Sequence, residues 1–327
     1  MRAFCLLVGL LTMGIASASF AEQAAPFHAG VTRISVAADT HFEALVWYPT
    51  QFDEVVWHAG PFVVPATRDA SIAPGRFPIV LLSHGGGPTG GSPIVLGGLS
   101  AALARHGFIV IAPFHGKTGF AGRPLQIKQA LHTVLADPRF VPHADPARLG
   151  MVGYSLGGAV ALQLAGAIPN VAHFTAYCAA HPKDVMSCGH SPDGKNAAQL
   201  ASTLGPALAG GTHGLQSLPL KAIVLLDPYA VLFQQPELTA VTMPVLIFRP
   251  NDSELAGEAN AGGLAGALPR APQFQNIPGD HFVFTVVCTP ALKVAASDLC
   301  QDPSAVDRAA VQSLVVSRMI DFFDNTI

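Results

Sequence analysis

The sequence predicts an α/β fold organised around a mostly parallel, doubly wound sheet. Short continuous apolar runs, such as residues 79–82, are bounded by prolines and glycines. Such runs are typical of strands buried on both faces of a parallel sheet. Segments with helical apolar spacing alternate with these runs along the chain. This alternation of strand and helix indicates βαβ units joined by right-handed crossovers.

The first elements differ from this rhythm. Residues 30–38 and 42–50 are predicted to be strands that form an antiparallel hairpin. Residues 51–75 contain several prolines and are predicted to be irregular.

The alternating part begins after this irregular stretch. One helix is predicted to stop at Gly107, because glycine is favoured just past a helix end. Another is predicted from apolar residues spaced around Leu131. The buried strands are expected at residues 79–82, 108–114, 148–155, 220–230, 243–250 and 272–279, and the helices at 98–107, 123–138, 156–166 and 306–325.

Residues 169–219 interrupt the alternation with a long stretch rich in Gly, Ser, His and Pro. A loop of this length inside a compact domain is usually functional or disordered. It is predicted to be a lid-like or surface insertion over one end of the sheet. Residues 22–327 are predicted to form one domain that contains it.

The N-terminal residues resemble a secretory signal peptide. Arg2 supplies the positive start, residues 4–15 are mostly apolar, and small residues follow at 16–21. The apolar part is short for a membrane span, which needs roughly 20 residues. We therefore predict that residues 1–21 are a cleaved signal peptide and that the mature chain is periplasmic or secreted.

Four cysteines remain once Cys5 is removed with the signal peptide: Cys178, Cys188, Cys288 and Cys300. An even number in an exported chain indicates two disulfides. Three pairings are possible, and we favour the local one, which joins Cys178 to Cys188 and Cys288 to Cys300. The spacing lacks the close pairs that zinc sites favour, so no metal site is predicted.

Composition excludes several classes of function. Half of the residues are hydrophobic and 12% are charged, with a formal net charge of -3. Without a basic cluster, nucleic acid is not an expected partner. The apolar run 149–171 contains glycines, Ser155 and Gln163, so a buried strand and helix explain it better than a membrane span. The sequence gives no indication of the oligomeric state.

The segment Gly153-Tyr154-Ser155-Leu156-Gly157 fits the pattern G-x-S-x-G between a predicted strand and a predicted helix. A sharp turn there exposes the Ser155 hydroxyl as a candidate nucleophile. The helix N-terminus brings the Leu156 N–H and a favourable dipole to a developing negative charge.

A second glycine-rich turn lies upstream, where residues 83–87 read SHGGG at the end of a predicted strand. Glycines allow backbone N–H groups to approach a ligand closely. Gly86 is the candidate for a second oxyanion donor beside Leu156. His84 is interpreted as structural, because it lies next to this loop.

The candidate base and acid follow later in the chain. His281 comes after the last predicted strand, in the order Ser, acid, His that this chemistry uses. Asp252 and Asp227 each follow a predicted strand, and either could instead cap a helix. Asp252 is favoured over Asp227 as the acid, with Glu254 a weaker alternative.

These residues together resemble the α/β-hydrolase superfamily. Three segments are similar to those of bacterial predicted dienelactone hydrolases. They are "SHGGG", then "DPARLGMVGYSLGGAVALQLAG", and then "PGDHFVF". That group is related to platelet-activating-factor acetylhydrolase and to cutinase-like polyester hydrolases. The resemblance implies Ser155 as nucleophile, His281 as base and Gly86 with Leu156 as oxyanion donors. Cutinase-like relatives imply Asp252 as the acid, and the acetylhydrolases imply Asp227.

The nucleophile departs from true dienelactone hydrolases, which use cysteine. A serine indicates ester hydrolysis through an acyl-enzyme, without a cofactor, on a small-molecule or lipid-like ester. Two alternatives stay open. Acyl transfer to an alcohol would use the same triad, and a hydrolase-like binding protein would use none of it.

Overall fold

The computed structural model describes residues 25–38, 41–87, 91–189 and 217–327. The predicted signal peptide and residues 190–216 of the predicted insertion lie outside these residues. The described strands are β1 (His28–Val36), β2 (Phe42–Thr50), β3 (Val56–Ala59), β4 (Phe62–Pro65), β5 (Thr67–Arg68), β6 (Phe77–Ser83), β7 (Ile109–Pro113), β8 (Ala144–Tyr154), β9 (Ala222–Leu226), β10 (Val245–Pro250) and β11 (Gln273–Ile277).

The described α-helices alternate with the later strands. They are α1 (Gly97–Arg105), α2 (Arg123–Ala136), α3 (Leu156–Leu164), α4 (Val171–Ala180), α5 (Val185–Cys188), α6 (Ala261–Ala267), α7 (Pro290–Ala295) and α8 (Arg308–Asp324). Short 3-10 turns lie at Pro93–Leu96, Phe120–Gly122, Gln235–Leu238 and Ser297–Cys300.

Nine strands form one sheet in the order β11-β10-β9-β8-β6-β7-β2-β1-β5. The six strands from β11 to β7 are parallel to their neighbours. The expected hairpin of β1 and β2 is present, and β2 joins the sheet antiparallel to β7. The prediction of a mostly parallel α/β sheet is confirmed.

Both faces of the sheet are covered, which explains the continuous apolar strands. Along β6, Ile79 and Leu81 belong to one core, and Val80 and Leu82 belong to the other. The first core contains residues of α2 and α3, and the second contains residues of α1 and α8. Alternate side chains of a strand point to opposite faces, so the four consecutive positions 79–82 of β6 all have to be apolar.

Two regions contain more regular structure than the sequence predicts. Residues 51–75 include β5 and a separate two-stranded sheet of β3 and β4. These strands are short and half exposed, so their apolar pattern is weak. Helices α4 and α5 occupy the start of the predicted insertion. Helix α4 buries only Phe174 and Cys178, which leaves little amphipathic signal.

The two local disulfides are present, joining Cys178 to Cys188 and Cys288 to Cys300. The predicted pairing is therefore confirmed in the structure. Among the residues that the structure describes, no helix combines the length and apolarity needed to cross a bilayer.

The carboxyl ends of the central strands meet at one edge of the sheet. Ser83 at the end of β6 pairs with Gly153, and Tyr154 at the end of β8 pairs with Leu226 of β9. Since these strands are parallel, the loops that follow them lie side by side. This edge holds the residues that the sequence selects as chemical candidates.

Candidate active site

Ser155 occupies the turn between β8 and α3 in an unusual backbone conformation. Its φ and ψ are 52° and -119°. Its N–H donates to the Leu226 carbonyl at 3.0 Å, and its own carbonyl accepts from Gly158 N–H at 2.8 Å and Tyr229 N–H at 2.9 Å. Neighbouring backbone on both sides therefore holds the strained turn in place.

The glycines of the motif are required by close approach. A Cβ on Gly153 would lie 2.5 Å from the Gly157 carbonyl oxygen. A Cβ on Gly157 would overlap the Ser83 carbonyl oxygen at the end of β6. Side chains at either position would push β6, β8 and α3 apart, so the pattern G-x-S-x-G follows from the packing of this corner.

Asp227 and His281 form a buried pair at the same edge. His281 Nδ1 lies 2.6 Å from Asp227 Oδ2, and the two residues are 5% and 0% exposed. A carboxylate can only accept a hydrogen bond, so the His281 Nδ1–H donates. The other ring nitrogen, Nε2, is then free to accept a proton.

Two further side chains orient the Asp227 carboxylate. The Ser253 hydroxyl donates to Oδ2 at 2.5 Å, and Arg249 Nη1 lies 3.5 Å from Oδ1. Asp227 also has a positive φ of 40°, and its N–H donates to the Phe248 carbonyl at 2.9 Å. Sequence analysis missed Ser253 and Arg249, although both lie in or beside the segment that contains Asp252.

The structure places Asp227 beside His281 and does not bring Asp252, the favoured candidate of the two, to that histidine. Asp252 follows β10 on the turn after Pro250, where its N–H donates to the Gly279 carbonyl at 3.0 Å and its side chain is exposed. Glu254, the weaker alternative, is also exposed. The acid beside the histidine comes from the end of β9, which is the strand adjacent to the serine strand.

Tyr154 connects the serine turn to the histidine. Its hydroxyl donates to the His281 carbonyl at 3.0 Å, and the two rings stack with centroids 5.1 Å apart. Burial raises the pKa of Tyr154 well above its usual value, so it stays a neutral donor. The Ser155 hydroxyl makes no hydrogen bond to the His281 ring among the described residues, and such bonds are often long before substrate binds.

The glycine-rich loop after β6 lies against the serine turn. A Cβ built on Gly85 would lie 3.3 Å from the Ser155 Cβ, and one on Gly86 would lie 3.4 Å from Leu156 Cδ2. Leu156 is the first residue of α3, so its N–H has no acceptor within the helix. The two oxyanion candidates, Gly86 and Leu156, are therefore neighbours beside Ser155.

His84 is buried behind this loop. Its Nδ1–H donates to the Gly85 carbonyl at 2.9 Å, and its Nε2 accepts from His115 N–H at 3.4 Å. These contacts hold the loop backbone, which agrees with the structural interpretation of His84.

Comparisons with known proteins support the architecture. No protein-family model and no curated protein matches the chain. Among solved structures, it is similar to a ferulic acid esterase from Streptomyces cinnamoneus, with a TM-score of 0.57 and 18% identity over 92% of this chain and 90% of that chain.

The chain has the α/β-hydrolase fold. In this fold a nucleophile stands on a strained strand-to-helix turn, and the triad follows in the chain order Ser, acid, His. Ser155 lies on such a turn, and Asp227 and His281 follow it in the chain.

A hydrogen bond, an ion pair and a disulfide stabilise the segment that follows His281. Arg308, at the start of α8, donates to Thr285 Oγ1 at 2.9 Å and forms an ion pair with Asp302 at 2.8 Å. The Cys288–Cys300 disulfide closes the same segment. Burial raises the pKa of the neighbouring Asp280 carboxyl.

An open cleft of about 660 Å³ lies beside the site. Its lining does not include Ser155 or His281. The cleft adjoins the site through residues that follow Ser253. Its lining is Tyr177, Ala180, His181, Pro182, Lys183, Asp184, Val185, Met186, Glu254, Ala256 and Glu258.

Proposed function

We propose that this protein is a serine carboxylic ester hydrolase that works through an acyl-enzyme. The single observation that supports this most strongly is the buried Asp227–His281 pair, held by Tyr154 next to the strained Ser155 turn. Packing of a hydrophobic core requires neither a strained serine nor a histidine oriented by a carboxylate. The two features together are typical of nucleophilic catalysis.

The proposed reaction has two halves. His281 Nε2 accepts the proton of Ser155 Oγ as Oγ forms a bond to the ester carbonyl carbon. The tetrahedral intermediate then breaks the bond to the alkoxy oxygen, which takes the proton from His281 and leaves as the alcohol. Water repeats the sequence on the acyl-enzyme, releasing the carboxylic acid and restoring Ser155.

Charge on the carbonyl oxygen is stabilised by backbone donors in this proposal. The Gly86 and Leu156 N–H groups donate to it, and the N-terminus of α3 adds a favourable dipole. Asp227 keeps the His281 proton on Nδ1 and stabilises the imidazolium that forms. Every step uses the protein's own groups and water.

The proposal also includes a substrate class, a location and a domain organisation. The structural similarity to a ferulic acid esterase supports an ester as the substrate. The sequence motifs support membership in the group of dienelactone hydrolase-like proteins. The two disulfides support a periplasmic or secreted location. Residues 22–327 are proposed to form one domain. The predicted lid spans residues 169–219, of which 190–216 lie outside the described residues.

Labelling with a fluorophosphonate tests the proposed function. We expect stoichiometric labelling of Ser155 and hydrolysis of p-nitrophenyl esters, with both lost in Ser155→Ala. The matched control is Ser100→Ala, which removes a buried hydroxyl that donates only to the Leu96 carbonyl. Intact wild type that neither labels nor hydrolyses esters would contradict the proposal. Products formed with a competing alcohol distinguish acyl transfer from hydrolysis.

A further inference from the structure

Arg123 is a buried cation beside residues 84–87, the glycine-rich loop after β6 that carries the candidate oxyanion donor Gly86. It is the first residue of α2 and is 6% exposed. Its Nη1 donates to the His84 carbonyl at 2.9 Å and to the Gly85 carbonyl at 3.1 Å. Within the described part of the chain, no carboxylate forms an ion pair with it and its Nε has no hydrogen-bond partner.

These two carbonyls determine where the loop N–H groups point. A peptide unit is planar and trans, so the carbonyl of one residue and the N–H of the next point in opposite directions. None of the described peptide bonds is cis. An Arg123 that holds the Gly85 carbonyl inward therefore turns the Gly86 N–H away from the guanidinium. Ser155 and Leu156 lie close to these glycines, since a Cβ on Gly85 would be 3.3 Å from the Ser155 Cβ and one on Gly86 would be 3.4 Å from Leu156 Cδ2.

The loop has few other means of fixing this peptide. Gly85, Gly86 and Gly87 lack side chains, and glycine loses more backbone freedom on ordering than any other residue. His84 accounts for one further contact, to the Gly85 carbonyl. Two charge-assisted hydrogen bonds from a buried planar donor give a stronger constraint than neutral contacts.

The charge on Arg123 persists at neutral pH. Burial lowers the pKa of its guanidinium to about 10, and no other cause opposes its charged form. Burial, together with the charges of His84 and Arg123, holds the pKa of the nearby His115 well below its usual range. Hydrogen bonding of a cation to a carbonyl also polarises the peptide, which makes its N–H a better donor.

We propose that Arg123 is a positioning residue for ester hydrolysis, which aims the Gly86 N–H at the oxyanion and adds positive potential behind it. The inference rests on the proposed function, because it concerns the transition state of that reaction. It assigns to Arg123 a role that appears in kcat and in the binding of tetrahedral adducts, and very little in substrate binding.

Two substitutions test this role against a matched control. Arg123→Met removes both hydrogen bonds and the charge, and Arg123→Lys keeps the charge without the planar fork. Arg105→Met is the control, since Arg105 also donates to a backbone carbonyl, that of Pro65, and pairs with Glu54, but makes no hydrogen bond to a residue of the site. The measurements are thermal melting, kcat and KM for p-nitrophenyl butyrate, inhibition by phenylboronic acid, and the rate and extent of fluorophosphonate labelling.

We expect Arg123→Met to lower kcat by about 10- to 100-fold, somewhat less than removal of an oxyanion donor, with KM within about threefold of wild type. Affinity for phenylboronic acid and the labelling rate fall by a similar factor, while labelling still reaches completion. Arg123→Lys lies between this variant and wild type. Arg105→Met loses thermal stability without these changes.

The outcome is read on the most severe variant that folds, which is Arg123→Lys if Arg123→Met does not. Retention of kcat and boronate affinity within about twofold of wild type in that variant overturns the inference while Ser155 still labels. Wild type that neither labels nor hydrolyses the ester overturns the proposed function itself, and the inference with it.

Discussion

Backbone strain at two residues marks the site more sharply than side-chain chemistry does. Among the described residues other than glycine, positive φ angles occur at Asp69, Ser155 and Asp227. Each such residue costs on the order of 1–3 kcal/mol, which the surrounding structure has to offset. Ser155 and Asp227 bear this cost at the ends of adjacent strands, where the proposed nucleophile and acid are needed.

Asp227 and Asp252 offer a matched comparison at the residue scale. We expect Asp227→Asn to lower kcat by about 1,000- to 10,000-fold, because an amide at this position no longer enforces the Nδ1–H tautomer of His281. Asp252→Asn should keep kcat close to wild type, since the Asp252 side chain is exposed. Hydrolysis of p-nitrophenyl butyrate by both variants measures the difference.

Thermal melting of the same variants controls for folding. Asn retains the size of the Asp227 side chain, so fluorophosphonate-reactive, folded protein is still expected. A large loss of kcat in Asp252→Asn together with normal activity in Asp227→Asn would reverse the assignment of the acid.

At the scale of elements, Glu54 ties β1 to α1. Its Oε1 accepts from Ala29 N–H at 2.8 Å, and both of its oxygens accept from the Arg105 guanidinium at 2.7 Å. Burial raises the pKa of Glu54, but the Arg105 hydrogen bonds, the Ala29 N–H and the nearby positive charges outweigh it and lower the pKa overall. The ionised form of Glu54 therefore stabilises the folded state.

We expect Glu54→Gln to lower the free energy of unfolding by about 1 kcal/mol at pH 7. A pKa lowered by folding gives stability that is present above the unfolded value and is lost as pH falls through the folded value. The difference from wild type should therefore shrink below about pH 4. Urea unfolding at several pH values measures it.

The control for this pair is Glu43→Gln. Glu43 pairs with Arg33 at 2.8 Å, but both side chains are more than 40% exposed. Such surface pairs contribute about 0–1 kcal/mol, so this change should have little effect. Equal losses in the two variants, or a loss in Glu54→Gln that is independent of pH, would contradict the stabilising role of the half-buried Glu54–Arg105 pair.

Over the whole molecule, the two disulfides stabilise different parts of the chain by similar amounts. They join cysteines separated by 10 and 12 residues in sequence. Loops of this size restrict the unfolded chain by about 3 kcal/mol each at 25 °C. Only the Cys288–Cys300 bridge lies in the segment that follows His281.

We therefore expect the double serine variants of either pair to lower Tm by roughly 5 °C or more. The variant that lacks Cys288 and Cys300 should also lose kcat, because the His281 segment loses part of its brace. The variant that lacks Cys178 and Cys188 is the matched control, with kcat close to wild type. Calorimetry and ester hydrolysis measure the two effects, and unchanged melting in both variants would contradict this account.

The sequence by itself determined the α/β architecture, the strained turn at Ser155 and the pairing of neighbouring cysteines. These features depend on residues close together in the chain: apolar runs between glycines, G-x-S-x-G between a strand and a helix, and cysteines 10 and 12 residues apart. Local patterns of this kind are set by backbone geometry and burial, so they can be interpreted without knowing which distant segments pack against them.

Tertiary structure alone decided which carboxylate meets His281 and which cation lies against the glycine-rich loop after β6. Asp227 and Asp252 both follow parallel strands, and only the order β8-β9-β10-β11 places the first beside His281 and leaves the second in solvent. Arg123, the first residue of α2, donates to the Gly85 carbonyl, and no sequence motif predicts this contact. The physical reason is that such contacts depend on distances between distant segments, which packing fixes and local sequence does not encode.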